Sequence, residues 1–79
     1  MHELGIAMEI ADLASERAGD ARIVRVIVEV GELTAVFPDA LAFAWEAAIA
    51  GEEGLLAGST LEIVKTAGDE LRIKALEVT

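Results

Sequence analysis

The sequence predicts an α+β domain of order α-β-α-β-β: a three-stranded mixed sheet covered on one face by two helices. Three observations predict it. Val24, Val26, Val28 and Val30 recur every second residue, the period of a half-buried strand. Two stretches with helical spacing of apolar residues flank that strand. Two further alternating stretches close the chain, separated only by Ala67-Gly68-Asp69.

The first helix is expected over Glu3–Ala18. Gly5, Glu9, Asp12 and Glu16 form its polar wedge, and Leu4, Ile6, Met8, Ile10, Ala11 and Leu13 fill the apolar arc. Gly19-Asp20 ends it, because glycine accepts the left-handed conformation that commonly terminates helices. The first strand spans residues 21–30, with Val24, Val26, Val28 and Val30 on one face and Ile23, Arg25, Ile27 and Glu29 on the other. Pro38 opens the second helix, since its fixed φ and missing N–H suit the first turn. Leu41, Ala44, Trp45, Ala48 and Ile49 form the buried stripe, and Gly51 ends it.

The second strand covers residues 59–66, with Leu61 and Ile63 alternating against Thr60 and Glu62. The third covers 70–78, with Leu71 and Ile73 against Arg72 and Lys74. The short connection between them predicts an antiparallel hairpin. The helix joining the first two strands predicts a right-handed parallel crossover. Phe43 lies about 160° around the second helix from Leu41, off the buried stripe. With the outer sheet positions Ile27, Val64, Leu76 and Val78 it gives a surplus of apolar groups. That surplus predicts a homo-oligomer, since contiguous exposed apolar surface usually marks an interface. A tight turn at 67–69 would add the hazard of a domain-swapped dimer.

Composition excludes several function classes. The 79 residues make one small domain, and 54% hydrophobic content argues against disorder. The apolar runs are too short for a membrane span. A net charge of −9 disfavours nucleic acid, whose binding depends on lysine and arginine. No cysteine occurs, so no disulfide framework exists and the cytoplasm is the expected compartment. No enzyme is expected. Ser15 and Ser59 lack an activating base, because the only histidine is His2. Gly54–Thr60 lacks the lysine and helix of a phosphate loop. Glu52-Glu53 sit on an open loop where nothing would raise a carboxyl pKa.

Chemistry concentrates at the opening Met1-His2-Glu3. The terminal amine and the His2 amide nitrogen close one chelate ring on a metal ion. The amide and imidazole Nδ1 close a second. Planar nitrogen ligands suit Ni(II) or Cu(II), whereas structural zinc favours thiolates or several imidazoles.

The opening Met1–Leu4, the segment Val30-Gly31-Glu32-Leu33, the run Phe37–Glu46 and the close Leu71–Val78 resemble the HypA/HybF nickel metallochaperones. That family assists maturation of NiFe-hydrogenase and, in some organisms, urease. The resemblance implies that Met1, His2 and Glu3 form a nickel site and that residues 1–79 are a nickel-binding domain. It implies transfer of the ion to a HypB-type maturation GTPase or to the hydrogenase large subunit. Members of the family carry a zinc module with two CxxC pairs between the last two strands. Here the chain passes from Lys65-Thr66 through Ala67-Gly68 directly into Asp69-Glu70, so the junction falls near 66–69 and no zinc is expected. A reading of another class stands beside this one: a metal-independent self-association domain in which His2 is incidental.

Overall fold

A computed structural model of the chain describes residues 3–51 and 54–79. Helix α1 spans Glu3–Ala18, strand β1 Ile23–Gly31, helix α2 Pro38–Ile49, strand β2 Thr60–Thr66 and strand β3 Leu71–Val78; one 3-10 turn, Glu32–Thr34, follows β1. The last was not anticipated. The α+β class, the element order and the mixed three-stranded sheet are as the sequence predicts, and both helices line the same face. Gly19 and Gly51 take positive φ, +62° and +81°, where each follows a helix.

The strand order is β2-β1-β3. β1 and β2 run parallel, with Val26 opposite Leu61 and Val28 opposite Ile63, as expected for a crossover through α2. The expected β2–β3 hairpin does not form. β3 instead pairs antiparallel with the other side of β1, Val28 opposite Ile73 and Val30 opposite Leu71. The four residues between β2 and β3 reach about 13 Å when extended. Two interstrand spacings amount to only about 10 Å, so this connection can cross the end of β1 without folding back on β2. The gain is central placement of the most apolar strand, with Val26, Val28 and Val30 all buried. With the hairpin goes the tight turn that suggested strand exchange.

The crossing is held by hydrogen bonds from Gly31 N to Glu70 O at 2.9 Å and from Leu33 N to Gly68 O at 3.0 Å. It passes so close to β1 that a Cβ on residue 31 would collide with the Gly68 carbonyl. Glycine is required there by contact rather than by dihedral angle.

Three inward assignments change. A register shift between Ile23 and Arg25 makes Val24 the extra residue of a bulge. Ile23 is therefore buried and Val24 exposed, the reverse of simple alternation. A second shift, between Ile27 and Val28, turns Leu76 from the outer face to pack against the core. In α1 the buried positions are Ala7, Ile10, Ala11 and Ala14, whereas Leu4, Met8 and Leu13 are about half exposed. The alanine stripe lets the backbone of α1 approach closely, leaving the longer side chains at the margins. α2 follows expectation: Leu41, Ala44 and Trp45 are buried, Ala48 and Ile49 pack beside them, and Phe43 is 74% exposed.

The outer face of the sheet is closed by charge. Arg25 spans the sheet from β1 to Glu62 at 2.8 Å and Glu77 at 2.7 Å, and Arg72 reaches Glu29 at 2.6 Å. The hydrogen bond and charge of Glu77, with the charge of Glu62, raise the Arg25 pKa, and those of Glu29 raise that of Arg72. Ile27 and Val64 are half-buried and stand apart from the core cluster.

Candidate metal centre

Of the three expected ligands, Met1 and His2 lie outside the described residues and Glu3 lies within them. Glu3 opens α1, in the first turn where unsatisfied backbone N–H groups favour a negative charge. Its Oε2 accepts a hydrogen bond from the Phe37 amide at 3.4 Å. Phe37 is the N-cap of α2 and has no side-chain group with which to cap that helix. The carboxylate of one helix thus neighbours the start of the other.

The segment that carries Phe37 is fixed by its own contacts. Thr34 Oγ1 donates to Gly31 O at 2.8 Å and accepts from Val36 N at 3.3 Å. Ala35 takes a left-handed φ of 61°, which turns the chain from the 3-10 turn towards Pro38. Val36 is buried, whereas Leu33 and Phe37 are exposed. A cleft of about 280 Å³ lies against this segment, lined by Val30, Glu32, Val36, Phe37 and Lys65 among others. Glu3 is therefore linked through Phe37 to the loop after β1, and that loop through Gly31 and Leu33 to the β2–β3 crossing.

Sequence reasoning missed the Phe37 amide and the Gly31–Gly68 approach. A backbone donor leaves no residue-type signal. The two glycines did leave one: Gly31 ends β1 and Gly68 lies in the short connection after β2, and close backbone approach is a standard reason for glycine. Among the described residues, no group of three or more His, Cys, Asp or Glu side chains is arranged to hold a metal ion. A cleft of about 600 Å³ lies towards the far end of α2, between that helix and β2. Its lining includes Trp45, Glu46, Ile49, Ser59 and Leu61, with Glu46 its one carboxylate among the described residues.

The platform of two helices on a three-stranded mixed sheet recurs in solved structures. The solution structure of the Ni metallochaperone HypA from Helicobacter pylori matches with a TM-score of 0.81 at 24% identity, covering 99% of this chain and 97% of that one. A second solution structure, of HypA protein, matches with a TM-score of 0.67 at 18% identity, covering 96% and 92%. At such identities these likenesses establish the fold alone. The sequence establishes the family: residues 1–68 match the family described as hydrogenase/urease nickel incorporation, metallochaperone, hypA. The chain belongs to the HypA family. It is 43% identical over 68 residues to the hydrogenase maturation factors HypA of Crocosphaera subtropica and of Trichodesmium erythraeum, and 40% identical to that of Nostoc punctiforme. Each alignment covers 86% of this chain and 58% of the relative. The chain thus spans little more than half the length of these relatives. The match ends at Gly68, inside the segment that crosses β1.

Proposed function

We propose that this chain is a nickel-binding module of hydrogenase maturation that holds Ni(II) at Met1-His2-Glu3. The terminal amine, the His2 amide and the His2 imidazole supply nitrogen ligands, and Glu3 contributes its backbone or side chain. The observation that carries the reading is the family match, which begins at residue 1 and so includes the histidine next to the chain's amine. The Glu3–Phe37 contact supports it, because it anchors one end of a three-residue site on a folded platform.

Nickel is cargo in this reading, and a site at the chain terminus can exchange ligands with an acceptor. The acceptor is a HypB-type GTPase or the hydrogenase large subunit, with the urease system a further destination. Maturation of this kind places the protein in the cytoplasm. No helix among the described residues is long and apolar enough to cross a membrane. The chain lacks the cysteines of a thiolate zinc site, so the module is expected to act without zinc. Residues 1–79 form the nickel-binding domain, with the junction to any zinc module near 66–69.

Isothermal titration of Ni(II) into three proteins tests the assignment: the native chain, His2→Ala, and a chain with residues added before Met1. The native protein is expected to bind one equivalent and the other two to lose most binding, with the fold unchanged by circular dichroism. Unaltered stoichiometry in either variant would remove the terminal site from consideration.

A further inference from the structure

The two edges of the sheet are built differently. β3 carries a register shift at Lys74 and presents Arg72, Lys74 and Glu77 as exposed charges, devices that discourage pairing at an edge. β2 has no such shift: its seven residues pair with β1 in unbroken register from Thr60 to Thr66, and its two exposed charges, Glu62 and Lys65, are of opposite sign. Its outer row of backbone groups faces no other strand among the described residues. Beside it lies the cleft of about 600 Å³ between α2 and β2.

We infer that the free edge of β2 pairs with β2 of a second copy of this chain, antiparallel about a two-fold axis at Ile63, giving a continuous six-stranded sheet. Charge complementarity selects this occupant. A two-fold axis perpendicular to the sheet keeps inner faces together, so only residues of the same face can stand opposite one another. With Ile63 opposite its own copy, Thr60 meets Thr66, Glu62 meets Val64, and Leu61 meets Lys65 of the second copy. No like charges oppose, and a threonine pair is a favourable cross-strand match. Centring on Glu62 instead would set two carboxylates against each other.

Lys65 provides the decisive contact. It lies opposite Val30, on the helix-bearing face of the sheet, and is exposed. α2 runs against the direction of β2, so Lys65 shares a cleft with Pro38, while Leu61 shares one with Glu46. Placing Lys65 of the second copy opposite Leu61 brings its ammonium to the Glu46 side of the large cleft. Symmetry makes the same pair twice. Leu61 and Ile63, only partly buried in the single chain, become covered.

Two experiments test this inference, and neither depends on nickel. Because the chain has no cysteine, Ile63→Cys gives a single thiol at the axis. Directly opposed Cα atoms in an antiparallel pair stand about 4.5–5.5 Å apart, within disulfide range. Mild oxidation should link Ile63→Cys into dimers while Ala75→Cys, exposed on β3, stays monomeric. Sedimentation at about 0.15 M salt, which screens the repulsion between two chains of charge −9, should give a dimer. Lys65→Glu or Glu46→Lys alone should weaken it by about tenfold or more, turning two attractions into repulsions. The double variant should return to within about threefold of the original affinity. A strict monomer, a dimer indifferent to both single reversals, equal cross-linking of the two cysteine variants, or a monomer whose β2 edge captures an unrelated extended peptide would each overturn it.

Discussion

The two ends of β1 are tied to the rest of the molecule in different ways. At the Ile23 end, Ile23 N donates to Leu55 O at 2.8 Å, Thr79 N donates to Arg22 O at 3.0 Å, and Arg22 Nη2 donates to Ala57 O at 3.0 Å. A bulge at Val24 lets this end adapt. At the Gly31 end, a crossing backbone lies directly on the strand, and a single Cβ would not fit. One end tolerates side-chain change because its links are backbone pairs and a flexible arginine. The other does not, because two backbones touch. The rigid end is also the one that leads, through Leu33, Thr34 and Phe37, to Glu3. The proposed metal site thus leans on the less forgiving part of the fold.

Substitution at the rigid end should have the largest effect. Gly31→Val forces apart two backbones that cannot rotate away, and is expected to cost about 3 kcal/mol or more, at the upper end of overpacking penalties. Urea denaturation measures it, and a near-neutral result would mean the crossing can lift off β1. At the adaptable end, Ile23→Val removes one buried methylene and should cost about 0.5–1.5 kcal/mol. A loss as large as that of Gly31→Val would erase the contrast. Arg22→Ala, which removes an exposed side-chain bond to Ala57 O, should change stability by no more than about 0.5 kcal/mol.

The outer face sharpens the same contrast with pH. The pKa of Arg25 and of Arg72 is raised by carboxylate neighbours. A raised pKa stabilises the fold fully below the unfolded arginine value and is lost only as pH climbs past it, far into alkali. Stability between pH 6 and 9 should therefore be flat with respect to these ion pairs. A step within that window that disappears in Arg25→Met would contradict their assignment. Each of the three pairs has at least one exposed side chain, so added salt should weaken them.

Local signals carried most of the fold. The α1 span followed from its glycine stop, the α2 start from Pro38, and the faces of Val26, Val28 and Val30 from their alternation. What the sequence hid depended on pairing. Loop length alone permits either a hairpin or a crossing at 67–70, and nothing local says which neighbour β3 will choose. The bulge at Val24 is equally silent, since an extra residue in a valine-rich strand leaves the composition unchanged. The alanine stripe of α1 was outweighed by larger apolar side chains that packing pushes to the margin. For the site, Glu3 could be singled out beside the histidine, but its Phe37 partner is a backbone amide joined to it only by the tertiary fold.

The most direct test of the terminal nickel site is a visible absorption spectrum during Ni(II) addition to protein with its native N-terminus, repeated from pH 8 down to pH 6. Coordination by a deprotonated amide should produce the d–d band of square-planar nickel, saturating at one equivalent. The band should weaken as protons compete for amine, amide and imidazole. It should be absent from His2→Ala and from protein extended before Met1. A band that persists in either variant, or binding that ignores pH, would contradict the site.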